Sequence, residues 1–405
     1  MRVFQFTEQP YPNAWNDHNG SLRVNLPNRK LDPTIAAELF HRYYDEWQLA
    51  DELGLDIMLN EHHSTATCMS AACVIGLSVL SRITKRARLL VLGYPIANRP
   101  DPLRAAEELA TIDVISRGRL EMGFVRGVPQ EVPIANLNPV FQSDRFWEAH
   151  DFIMKALTSH DEPFNWESEN YHYRQVNIWP RPYQQPHPPV WSTTGSTWSA
   201  RKLGEYGYVM ATLGTGYATR RLYDAYRQGY AAKRGGAAAA PDRFAYLGLV
   251  AVGRNKEEAR RRGELIASYP RTSSIVFAPF RNPPGYLSIE DNVRILKGEG
   301  KPRSFTKDGR VVEMSTGSVQ DLIDAGVLFC GTPDEVYQQI ADFIDHCGGM
   351  ANLLMMGHAG PMTHEDTAEN LTLFAQEVYP RLKALKQPDA QAAAAQATAA
   401  AVAAQ

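Results

Sequence analysis

The chain has 405 residues, 44% of them hydrophobic and 10% aromatic, so an ordinary folded protein with a large core is expected. Its 42 Lys and Arg against 45 Asp and Glu leave a formal charge of −3, and no dense basic stripe is present to follow a nucleic-acid backbone. No stretch approaches the roughly 20 apolar residues of a membrane span, and the start MRVFQFTEQPYP lacks the basic-then-apolar pattern of a signal peptide.

Taken in chain order, strand-like apolar runs alternate with helical periodicity. Arg2–Phe6 reads as a strand, and Ile35–Leu53 as a helix with Phe40, Tyr44, Trp47 and Ala50 on one face and Gly54 behind it. Asp56–Asn60 is a second strand, Ala71–Ser81 a helix, and Arg88–Tyr94 a third strand. Asp101-Pro102 opens the next helix as N-cap and first-turn proline; it runs to about Arg117, where Gly118 stops it. Leu120–Phe124 is a fourth strand.

The alternation continues with a helix at Arg145–Thr158, a strand at Pro189–Thr193, a helix at Ser196–Glu205 and a strand at Tyr208–Leu213. Then come Arg220–Lys233 (helix), Tyr246–Val252 (strand), Lys256–Ser268 (helix), Pro333–Cys347 (helix), Ala351–Met356 (strand) and Thr367–Leu385 (helix). About eight such units argue a closed (β/α)₈ TIM barrel with insertions, as a single domain over residues 1–387. Asp161–Pro188 is an irregular excursion with a short hairpin around Tyr171–Asn177. The proline-bearing stretch 269–327 reads as an insertion over the barrel mouth. Residues 388–405, rich in Ala and Gln, read as a disordered tail without function. The four cysteines form no metal-type pair; as buried reduced thiols they suit a cytoplasmic protein.

In such a barrel the reactive groups stand at the C-terminal ends of the strands. After the second strand come Asn60-Glu61-His62-His63. An imidazole there can move protons near neutral pH, and adjacent histidines on extended backbone face opposite ways, so at most one enters the barrel. His62 and His63 are both candidates at this point. After the fourth strand, Arg126-Gly127 offers a planar guanidinium and bare backbone to an anion. After the fifth, Thr193-Thr194-Gly195-Ser196 runs into a helix that includes Ser199, where free N–H groups and the helix dipole suit a phosphate. Gly214-Thr215-Gly216 lacks the third glycine of a dinucleotide fingerprint, and no Walker A sequence or G-x-S-x-G elbow occurs.

Jointly, NEHHS at 60–64, DPLRAAEELATIDVISRGRLEMGFVRG at 101–127, RFWEAHDFI at 145–153, QQPHPPVWSTTGSTWSA at 184–200, GTPDEV at 331–336 and LFAQEVYPRLK at 373–383 resemble the bacterial luciferase-like flavin-dependent monooxygenases. The resemblance implies a bound FMN with its phosphate near Arg126 and Gly195–Ser199. It sets the ring across the strand ends, by Tyr94, Pro95, Thr193 and Thr194, and makes His62 the reactive histidine. It further implies that reduced FMN from a separate flavin reductase meets dioxygen, forming a C4a-peroxyflavin that gives one oxygen atom to a small hydrophobic substrate. Trp191 and Trp198 would wall the site and the 269–327 insertion would cap it, and a homodimer is expected. Light-emitting relatives carry a cysteine where this chain has Val125, which argues against luminescence. Two rival readings share the fold: a deazaflavin-dependent hydride-transfer oxidoreductase, and a non-catalytic flavin-binding protein.

Overall fold

The computed structural model describes residues 1–16, 21–297 and 304–403; the parts of the expected insertion and tail at 298–303 and 404–405 lie outside these. The barrel strands are β1 (Arg2–Phe6), β2 (Asp56–Leu59), β3 (Leu89–Pro95), β4 (Leu120–Val125), β5 (Val190–Thr193), β6 (Val209–Leu213), β7 (Phe244–Val252) and β8 (Asn352–Met356). Each runs parallel to its neighbours, and the ring closes where β8 pairs with β1, Arg2 opposite Asn352. Around it stand α1 (Pro33–Glu52), α2 (Cys73–Ile83), α3 (Pro102–Ser116), α4 (Gln142–Thr158), α5 (Thr197–Tyr206), α6 (Thr219–Lys233), α7 (Pro333–His346) and α8 (His364–Leu373).

Local chemistry explains where these helices begin and end. The Asp32 side chain accepts from Thr34 N and the Asp101 side chain from Leu103 N and Arg104 N, with proline next in both cases. Helix α3 ends at Ser116, one residue short of the expected Arg117. Arg117 itself takes the left-handed conformation, φ 56°, and Gly118 follows with φ 80°.

Strand alternation divides the core into two layers. Phe4 and Phe6 of β1 point into the barrel with Met58, Leu90, Trp191 and Leu354. Val3 points out toward the helices with Leu353 and Tyr246. The N-terminal end of the barrel is plugged by charge. Glu121 accepts from Arg2 Nη1 at 2.5 Å, Arg88 Nε at 2.8 Å and Trp191 Nε1 at 2.5 Å. Trp191, expected to wall the mouth, is therefore at the opposite end, fully buried as part of this plug.

Several elements depart from expectation. The helix after β7 was expected to stop at Ser268 before Pro270, yet it spans Lys256–Ser273; Thr272 Oγ1 donates to Ser268 O and Arg271 Nη2 to Gly317 O, tying its last turn down. A strand at Leu328–Gly331, too short to stand out in the sequence, pairs with the end of β7. The irregular excursion holds the expected hairpin, Phe164–Glu167 with His172–Val176. The tail, expected to be disordered, forms a helix over Ala390–Ala403. Ala393 and Ala397 are buried, and Gln228 Nε2 donates to Ala397 O. The physical reason is that alanine has the highest helix propensity and its small side chain lets a helix lie close on α6. All four cysteines are buried and unpaired, and no described helix is long and apolar enough to cross a membrane.

Candidate active site

At the C-terminal end of the strands opens a cavity of about 780 Å³, within the usual range for small-molecule sites. It is lined by His62, Pro95, Arg126, Thr193, Thr194, Gly195, Ser196 and Ser199, so eight of the nine residues singled out in the sequence converge there. The ninth, Tyr94, does not. Its ring is buried on the outer side of the barrel, its hydroxyl donates to Glu108 Oε2 at 2.8 Å, and the Arg99 guanidinium lies 4.0 Å from the ring centre. The reason is a β-bulge. The register between β3 and β4 shifts between Leu92 and Tyr94, which presents Gly93 and Pro95 to the cavity and turns Tyr94 away. A Cβ on Gly93 would meet Val125 Cγ1 at 2.3 Å, so this floor accepts no side chain.

His62 and His63 diverge as extended backbone requires. His62 Nδ1 stands 2.9 Å from Glu131 Oε1; because a carboxylate accepts, Nδ1 carries the hydrogen and Nε2 is left facing Glu8 Oε1 at 3.7 Å. The same Glu131 oxygen accepts from His63 N at 3.1 Å, so one buried carboxylate fixes both the imidazole and its backbone. His63 turns instead to Glu61, Nε2 to Oε1 3.3 Å, and that hydrogen bond lifts its pKa. Burial alone would raise Glu61, but His63, Arg99 and Cys73 outweigh it and hold the carboxyl below its ordinary value. Arg99 Nη2 lies 3.0 and 2.8 Å from its two oxygens.

Arg126 has no carboxylate partner among the described residues. Its guanidinium sits 4.1 Å from the centre of the Tyr286 ring, and Tyr286 Oη donates to Gly127 O at 2.7 Å. Burial raises the pKa of the Tyr286 phenol, and the Arg126 guanidinium only partly offsets it. Tyr286, Tyr269, Pro270 and Met314, all from the 269–327 segment, reach the cavity. Across from Arg126, Ser196 caps α5 by accepting from Ser199 N at 3.2 Å, and Thr194 Oγ1 accepts from Ser196 N at 3.1 Å. A Cβ on Gly195 would meet nothing within 4 Å; that backbone is open to a ligand. Trp198 is 67% exposed at the rim.

A cationic fork that meets no carboxylate among the described residues, beside a capped helix start and open glycine backbone, matches what a phosphate needs. Three residues that the sequence reading missed complete the site: Glu8, Glu131 and Tyr286. Glu8 follows the first strand, and the strand-end rule applied there would have found it. Glu131 lies in a short 3₁₀ turn, Pro129–Glu131, and Tyr286 in the insertion; only the tertiary fold brings either to His62 or Arg126.

Residues 23–348 match the sequence model of the luciferase-like monooxygenases. Among curated relatives, uncharacterized protein y4wF of Sinorhizobium fredii is 31% identical over 228 residues, 54% of this chain and 64% of that protein. The oxygenase component of the flavin-dependent trigonelline monooxygenase of Acinetobacter baylyi is 29% identical over 175 residues, 42% of this chain and 47% of that protein. These matches thus span between about half and two thirds of those relatives' lengths. Among solved structures, the oxygenating constituent of 3,6-diketocamphane monooxygenase from Pseudomonas putida, in complex with FMN, superposes with a TM-score of 0.71 at 18% identity, covering 96% of this chain and 100% of that one. The coenzyme F420-dependent tetrahydromethanopterin reductase of Methanopyrus kandleri does so at 0.62 and 16%, covering 94% and 98%. These two likenesses establish the shared barrel.

Proposed function

The chain belongs to the luciferase-like monooxygenase family, and from that premise we propose that it is a flavin-dependent monooxygenase that uses reduced FMN and dioxygen to insert one oxygen atom into a small, largely hydrophobic organic substrate. A separate reductase supplies the reduced flavin, and the working unit is a homodimer in the cytoplasm. The observation that carries the reading is one cavity holding both a carboxylate-fixed imidazole, His62, and a guanidinium, Arg126, that meets no carboxylate among the described residues.

The residues present fit FMN. Arg126, the N–H groups at the start of α5 and the hydroxyls of Ser196 and Ser199 would hold its phosphate, and Pro95, Thr193 and Thr194 would border its ring. Bound reduced flavin supplies the electron pair that makes dioxygen an oxygen donor. His62, held through Nδ1 by Glu131, presents Nε2 as the proton-handling atom. Tyr286, Tyr269 and the rim of Trp198 keep bulk water from the reacting centre.

The test is direct. Purified protein titrated with FMN, reduced FMN and coenzyme F420 should prefer reduced FMN, and stopped-flow mixing of that complex with air should show flavin reoxidation distinct from the free cofactor. The F420-dependent neighbour favours a second reading, hydride transfer with a deazaflavin; tighter F420 binding and no oxygen-dependent reaction would establish it instead. Reoxidation identical to free flavin, unaffected by His62→Ala, would leave only a flavin carrier.

A further inference from the structure

We infer that the Met314 thioether is a modification site: it takes an oxygen atom from a hydroperoxide held in the cavity and becomes a sulfoxide. The inference rests on the proposed function for the source of that hydroperoxide, reduced flavin and dioxygen, whereas the choice of Met314 stands on the structure alone.

Sulfur is the softest nucleophile that side chains offer to a peroxide, as a thiolate or as a thioether. The thiols are out of reach here. Cys68, Cys73, Cys330 and Cys347 are all buried, and none of them borders the cavity. Burial also pushes each of these thiols up, that of Cys330 to about 11, so none is a thiolate at neutral pH. A thioether needs no ionisation, because its sulfur lone pair is always free.

Three methionines border the cavity: Met58, Met314 and Met356. Met58 and Met356 are 2% and 1% exposed, packed into the barrel interior with Phe4, Phe6 and Leu354. Of the eleven methionines, Met1, Met69, Met154 and Met314 keep part of their surface open. Met314 alone is both open and at the cavity. Its far end lies against Gly214, which borders the same cavity: a Cβ on Gly214 would meet Met314 Sδ at 2.7 Å and Cε at 2.9 Å. The missing side chain at Gly214 is what leaves room for the sulfur at the cavity wall.

The step balances with a hydroperoxide as the oxidant. The sulfur lone pair attacks the outer peroxide oxygen, an S–O bond forms and the O–O bond breaks. The inner oxygen leaves with the bonding electron pair and takes the proton of the outer one, giving an alcohol or, from hydrogen peroxide, water. Sulfur loses one electron pair and the peroxide gains it. The product is the sulfoxide, which thiol-dependent reductases can reverse.

The experiment uses the full chain without organic substrate and reads oxygen gain in its peptides by mass spectrometry. In one arm the protein carrying reduced FMN is mixed with air in the presence of catalase, which removes peroxide that escapes to solvent. In the other, flavin-free protein receives hydrogen peroxide. Added peroxide should mark Met314 about as much as Met1, Met69 and Met154. The flavin arm should raise the share of Met314 over those three at least ten-fold. An equal share in both arms, or oxygen gained at Trp147 or Trp198 in place of Met314, overturns the assignment. Binding and reoxidation of the flavin are followed in the same samples. If the protein binds no reduced FMN, the proposed function fails, and flavin-free protein with cumene hydroperoxide, an apolar probe suited to the cavity, decides Met314 by itself. Oxygen gained chiefly at Met314 then upholds the site, and gain shared evenly with Met1, Met69 and Met154 overturns it.

Discussion

At the residue scale the site depends on which partners are paired and which are left free. His62 owes its orientation to Glu131, a buried carboxylate with nothing to gain from water. On the proposed reaction, His62→Ala should lower kcat by about 10²–10⁴-fold, the usual span of a positioned proton carrier. Glu131→Gln should cost less, since an amide oxygen can still accept from Nδ1; comparing the kcat pH profiles of the two variants checks this order. Arg126 has only Tyr286 beside it among the described residues. A charge-assisted contact contributes about 1.5–3 kcal/mol, so Arg126→Ala should weaken FMN binding by roughly ten- to a hundred-fold. It should leave riboflavin, which lacks the phosphate, little affected. Equal losses for both ligands would show that Arg126 does not read the phosphate.

At the scale of elements, the caps and the bulge decide what reaches the cavity. Gly93 exists because Val125 occupies the space that a side chain would need. Gly93→Ala should lower the melting temperature and impair flavin binding together, because the floor and the β3–β4 register move as one. The insertion contributes through Tyr286, which covers both Arg126 and the Gly127 carbonyl. Tyr286→Ala should speed FMN release in a stopped-flow chase while leaving the melting temperature nearly unchanged, since the residue lies outside the barrel core. At the far end, burial pushes the Asp56 carboxyl up to about 6, with Glu121 also raising it and Arg2, Arg88 and the Arg88 amide pulling it down. The folded state therefore holds that proton more tightly than the unfolded chain. This contribution to stability is full below about pH 3.8 and is lost as pH rises through about 6. Asp56→Asn should flatten that part of the stability curve between pH 4 and 6, measured by urea melts.

For the molecule as a whole, the two ends of the barrel do opposite work. One is closed by Glu121 with Arg2, Arg88 and Trp191; the other opens into the cavity that holds His62 and Arg126. Removing one partner of a buried ionic set leaves the rest uncompensated, at about 3–5 kcal/mol, so Glu121→Ala should lower stability on that order by chemical denaturation with flavin affinity per folded molecule unchanged. The alternation of apolar runs made the (β/α)₈ order legible because strand and helix carry different periods, and that order alone points to strand ends. His62, Arg126 and Gly195–Ser199 were legible for this reason: each directly follows a strand. Glu131 and Tyr286 were not, because they sit in a 3₁₀ turn and an insertion whose positions depend on how the mouth packs. Tyr94 was misplaced because a bulge reverses which face a residue takes, and local sequence carries no clear mark of that reversal. Trp191 was misplaced because a strand points residues inward at both ends of the barrel, and only the register says which end. The sequence by itself thus determined the periodicity, the caps and the order of units, which are local properties of the chain. The tertiary structure alone decided which donor each buried carboxylate meets, Glu131 the His62 imidazole and Glu61 the Arg99 guanidinium, because hydrogen bonding between distant residues is fixed by where the closed barrel puts them.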